Sequence, residues 1–147
     1  MTKTPIKGIC LKAEDKEDFK IIAACLQDSV IRQSEMTYLS SDRRFVTVLD
    51  RLVWENSDRM SPGNLPSLQV QSGLCFEGIT SVKVHGIDQN QKDRILELLT
   101  IFFNPASVTL LFTGGAAIKL EGENILCFLE DVSAPRAISA PLSDSVE

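Results

Sequence analysis

Apolar and polar positions along this chain switch between two periods, one helical and one extended. Phe19, Ile22, Ala23 and Leu26 stand at i, i+3, i+4 and i+7, the spacing that gathers side chains on one face of an amphipathic helix. Asp15-Lys16-Glu17-Asp18 precedes that stripe and supplies an N-cap carboxylate and a first turn whose acids suit the helix dipole. The same spacing returns at Ile95, Leu98, Leu99 and Phe102, behind Asp88 and Gln91 set as in a capping box, and it predicts a second helix.

Elsewhere the period is that of strands. Ile9 and Leu11, Val30 to Arg32, Met36 to Leu39, Phe45 to Leu49, Leu74 to Phe76, Ser81 to His85, Val108 to Phe112 and Ala117 to Leu120 alternate or form short apolar runs. Thr100 to Phe103 reads as strand after the second helix, and Ile125 to Leu129 as a last one. Gly114-Gly115 falls where positive φ angles suit a tight hairpin. A strand follows it, with no Lys-Ser/Thr and no helix, so the pair is not a phosphate loop.

Set side by side, the two halves show one order of elements. Met36 and Phe45 are each as far from Val108 and Ala117 as the other, and a capped helical stripe precedes both hairpins. The expected fold class is therefore α+β: a mostly antiparallel sheet with two helices, built from two similar β-α-β-β-β halves in one compact domain. That domain is expected over residues 1–132, with halves 6–55 and 74–132. Residues 56–73, rich in Asn, Ser, Pro and Gly, read as the linker, and 133–147 as a poorly ordered tail.

Composition narrows the function classes. The chain has 147 residues, long enough for a single core without metal or disulfide staples. A net charge of −5 disfavours nucleic acid as the main partner, because neutralising phosphates takes a concentrated excess of Lys and Arg. Arg43, Arg44, Arg51 and Arg59 form only a modest patch, interrupted by Asp42, Asp50 and Asp58. Cys10, Cys25, Cys75 and Cys127 are widely spaced and His85 is the lone histidine, so no metal and no cofactor is expected. Residues 1–9 lack the apolar core of a signal peptide, and the greasy stretch from Ile95 to Phe112 is broken by Glu97, Asn104 and Pro105. These point to a cytoplasmic protein with free thiols and no membrane span.

Leu26-Gln27-Asp28-Ser29-Val30, Arg43-Arg44-Phe45, Val53-Trp54-Glu55, His85-Gly86-Ile87-Asp88 and the run from Phe112 to Leu120 carry a resemblance. In that order they resemble an uncharacterised family of domains of unknown function, DUF2948, over roughly Ile6 to Val132. The resemblance implies a short cytoplasmic protein of alphaproteobacteria in one compact domain, and it brings no activity, cofactor or catalytic residue.

No nucleophile with a matched base emerges from the sequence, and no catalytic residue is assigned. The expectation is a non-catalytic domain that binds a protein partner or forms a homodimer. The alternative is a small-ligand-binding or enzymatic domain with its pocket between the two halves. Candidate binding residues are Asp28, Arg43, Arg44, Asp50, Arg51, Trp54, Glu55 and His85. Capping, turns or solvated charge explain each of these acids and arginines as well, a core-closing indole explains Trp54, and the strand alternation turns His85 to solvent.

Overall fold

The computed structural model describes residues 8–53 and 68–137. In chain order the elements are strand β1 (Cys10–Ala13), helix α1 (Lys16–Leu26), and strands β2 (Val30–Arg32), β3 (Met36–Leu39), β4 (Arg44–Val53), β5 (Leu68–His85), β6 (Ile95–Asn104), β7 (Ser107–Phe112), β8 (Ala117–Asp131) and β9 (Arg136–Ala137). All strand pairs are antiparallel. β4, β5, β8, β7, β6 and β2 follow one another round a ring, and the β5–β8 pairing closes it.

The fold is thus a closed six-stranded β-barrel with one α-helix among the described residues, which corrects the two-helix α+β expectation. β1 lies against β8, β3 against β4 and β9 against β5, outside the ring. The hairpins β3–β4 and β7–β8 do match in sequence order, but β7 is a barrel stave and β3 hangs off the ring. Nor is the helix repeated.

The expected second helix is β6, and its own burial shows why. Leu96, Leu98 and Ile101 are buried while Ile95, Leu99 and Phe102 are exposed. The register against β7 slips between Leu98 and Thr100, so Leu99 is an extra residue, a β-bulge. Two-residue alternation with one insertion puts outward apolar residues at Ile95, Leu99 and Phe102, three and four apart, which imitates a helical stripe. Asp88 caps no helix here. Its Oδ1 accepts the Asn90 amide at 2.9 Å inside a turn.

α1 forms as expected. The Asp15 carboxylate accepts the Asp18 amide at 2.9 Å, and Phe19, Ile22 and Leu26 turn inward, each worth about 1.5–3 kcal/mol of burial. The helix packs on β6, β1 and β4, where its apolar face joins the barrel core around Leu49, Leu74, Phe76, Leu110 and Phe112. β5 begins at Leu68 and pairs with β4 from that residue, so 68–73 is strand where a linker was expected. Residues 56–67 lie outside the described residues. Arg136 and Ala137, assigned to the tail, pair with Gln69 and Leu68, and 138–147 are outside the description. Gly114 and Gly115 make the expected turn, at φ of 78° and 85°. No helix among the described residues is long and apolar enough to cross a membrane.

Candidate functional site: an open strand edge beside the helix

β2 is only three residues long, and its brevity makes the site. It pairs Val30, Ile31 and Arg32 with Glu97, Leu96 and Ile95 of β6. One more exchange follows: Leu98 donates its amide to the Ser29 carbonyl at 2.8 Å and accepts the Asp28 amide at 2.9 Å. Beyond Leu98, no strand among the described residues pairs with that side of β6.

Antiparallel alternation identifies the groups left over. In β7 the Phe112 amide bonds the Ala116 carbonyl, and the Gly122 amide bonds Ala106, so even-numbered β7 residues turn toward β8. Leu111, Thr109 and Ser107 therefore turn toward β6, opposite Thr100, Phe102 and Asn104. Ile101 and Phe103 point their amides and carbonyls the other way, along the open edge.

α1 runs alongside that edge in the opposite direction, from Lys16 near Phe103 to Gln27 near Leu99. Between them lies a trough of about 470 Å³, with Lys16, Phe19, Lys20, Ala23, Ala24 and Gln27 on one wall and all five residues from Leu99 to Phe103 on the other. Consecutive residues of a strand line one cleft only when its backbone edge faces that cleft. At the Lys16 end the trough continues into a hollow of about 570 Å³ between Glu14, Asp15, Asn104, Pro105 and the Asn124–Leu126 stretch, sharing Lys16 and Phe103. Phe19 stacks on Phe103 with centroids 4.0 Å apart and fixes the floor. Phe102, 59% exposed, and Leu99 stand at the outer lip.

The charges of the trough are uneven. Glu14 is paired with Lys12 at 3.2 Å, and Asp15 is engaged as the helix cap. Lys20 has only a 3.8 Å contact with Glu17, both exposed, and Lys16 has no ion pair among the described residues. The free charge on the trough wall is cationic.

The residues singled out by sequence do not converge. Asp28, at φ 68°, ends the α1 loop and touches β6 through its amide. Arg43, at φ 55°, shapes the β3–β4 turn, its carbonyl accepting the Ile79 amide at 3.0 Å. Arg44 pairs with Glu77 at 3.2 Å, and Asp50 meets Arg136 at 3.6 Å. His85 is exposed opposite Ala117. Trp54 and Glu55 lie outside the described residues, as does Arg59.

Arg51 is the exception to the solvated-charge reading, being buried at one end of the barrel. Its Nε and Nη2 donate to the two oxygens of Asp131 at 2.9 and 2.7 Å. Ser72 Oγ donates to the same carboxylate at 2.7 Å and the Ile9 amide at 3.0 Å. Burial raises the Asp131 pKa, but these donors outweigh it and hold the carboxyl below its usual range. With every acceptor position taken, the cluster is a structural latch and removes Arg51 from any basic patch. Among the described residues, no group of three His, Cys, Asp or Glu is placed to hold a metal.

The sequence reading missed the β6 edge. One signal was present: from Leu98 to Phe103 there is no charge and no proline, the devices that usually protect a strand edge from pairing.

The model of a family described as "Protein of unknown function (DUF2948)" matches residues 9–142. The chain belongs to that family. No curated protein and no solved structure matches it.

Proposed function

We propose that this member of the DUF2948 family is a non-catalytic interaction domain that receives an extended segment of a partner protein as an added strand on β6. The observation that carries the reading is the trough in which five consecutive β6 residues face α1 while the amides and carbonyls of Ile101 and Phe103 have no partner strand among the described residues. Strand addition uses such an edge for main-chain hydrogen bonds and flanking pockets for side chains. An uncharged apolar edge left open is otherwise a hazard of aggregation, and a partner strand removes it. The four free cysteines support a reducing compartment such as the cytoplasm.

Selection from a displayed library of extended peptides tests the reading. Binders are expected to slow amide exchange at Ile101 and Phe103, and Ala24→Trp, which fills the trough from the exposed face of α1, is expected to abolish binding. Binders that map to another surface, or that tolerate Ala24→Trp, would overturn it.

The alternative, a small-molecule site, has a weaker foothold. The hollow lined by Met36, Tyr38, Val84 and Ile87 holds about 340 Å³, and among the described residues its lining includes no carboxylate and no histidine.

A further inference from the structure

We infer that the segment added to β6 is acidic on alternate residues and apolar on the others, and that it runs antiparallel to β6. The inference rests on the strand-addition reading and names the chemistry of the partner at that site.

Direction follows from the barrel, in which every neighbour of β6 is antiparallel to it. The new strand would continue the line of β2, entering beside Asn104 and leaving beside Leu99. Its side chains would alternate between two environments. One set lies on the outer surface beside Phe102 and Leu99, the exposed apolar residues of this edge, where apolar cross-strand pairs are favourable. The other set points to α1, where Ala23 and Ala24 leave room and the charges in reach are Lys16 and Lys20. The two acids at the mouth, Glu14 and Asp15, already have partners. Carboxylates on the α1-facing positions complete the pairing.

The same charges argue against a second copy of this chain as occupant. The segment that would enter, Leu99 to Phe103, holds no acid to meet the lysines.

Three fluorescein-labelled peptides test this on the full chain by anisotropy: valine alternating with aspartate, with serine and with lysine. The aspartate peptide is expected to bind about tenfold tighter than the lysine peptide at low salt, a modest factor because partly exposed ion pairs contribute little each. Added salt should narrow the gap. Lys16→Glu with Lys20→Glu, exposed changes that leave the core intact, is expected to reverse the preference. If the serine or lysine peptide binds as well as the aspartate peptide and still protects the Ile101 and Phe103 amides, the acidic preference is wrong and strand addition stands. If no peptide protects those amides, both fall. Sedimentation showing a dimer that Phe102→Lys dissociates would make a second copy the occupant and overturn the inference.

Discussion

Gly78 and Gly122 face each other across the bend where β5 and β8 turn together, so closely that neither tolerates a side chain. A β-carbon on Gly122 would sit 1.9 Å from the Gly78 carbonyl oxygen, and one on Gly78 would sit 2.4 Å from the Glu123 carbonyl oxygen. The obstacles are backbone atoms, and Gly78 has φ of 86° besides. Register slips on either side of Ile79 mark the kink that lets two long strands pass from one side of the barrel to the other. Gly122→Ala is expected to destabilise the fold by several kcal/mol (roughly 3, in the range of backbone strain and overpacking). Chemical denaturation measures it; a loss under about 1 kcal/mol would mean that the bend relaxes readily.

Asp131 and Arg51 latch the barrel end with side chains 5% and 11% exposed. Asp131→Asn leaves a buried guanidinium without its counter-charge, a change expected to cost about 3 kcal/mol. The pH dependence has a definite sign. Because the folded carboxyl is held below its unfolded value, near 3.9, the latch contributes fully above about pH 4 and is lost as pH falls through the folded pKa. Acid denaturation of the wild type and the Asn variant should converge at low pH, and parallel curves would contradict the assignment.

How much of this was legible in the sequence differs from element to element. α1, its Asp15 cap and the hairpin at Gly114-Gly115 were legible because each depends on neighbours a few residues away. β6 was misread because the Leu99 bulge breaks a two-residue period into threes and fours, and only the register against β7 distinguishes that from a helix. Barrel closure depends on β5 pairing with β8, and the Arg51–Asp131 contact joins residues 80 apart. Neither leaves a local pattern. The open edge arises from how late β2 begins, with Val30 opposite Glu97; the uncharged, proline-free run from Leu98 to Phe103 hints at an edge, but it does not locate that start.

Phe19 joins helix to trough, being 2% exposed and stacked on Phe103 at an interplanar angle of 14°. Phe19→Ala is expected to lower stability by about 3–5 kcal/mol. It should also loosen α1 before the barrel, seen as faster amide exchange in Lys16–Leu26 than in β7. Equal acceleration in both elements would show that the helix and barrel unfold as one unit.

The cysteines should react in order of exposure. Cys10 is exposed on β1, whereas Cys127 is fully buried, and burial pushes its thiol pKa far above the ordinary range. A thiol reagent at pH 8 is expected to modify Cys10 promptly in the native protein and Cys127 only on unfolding. Prompt native labelling of Cys127 would contradict the core described here.

Residue-resolved amide exchange along β6, in the free protein and with a selected peptide, reads the open edge itself. Slow exchange is expected at Thr100 and Phe102, which turn toward β7, and fast exchange at Ile101 and Phe103 that becomes slow when the peptide is bound. Uniform protection of all four amides in the free protein, or no change at Ile101 and Phe103 on binding, would contradict it.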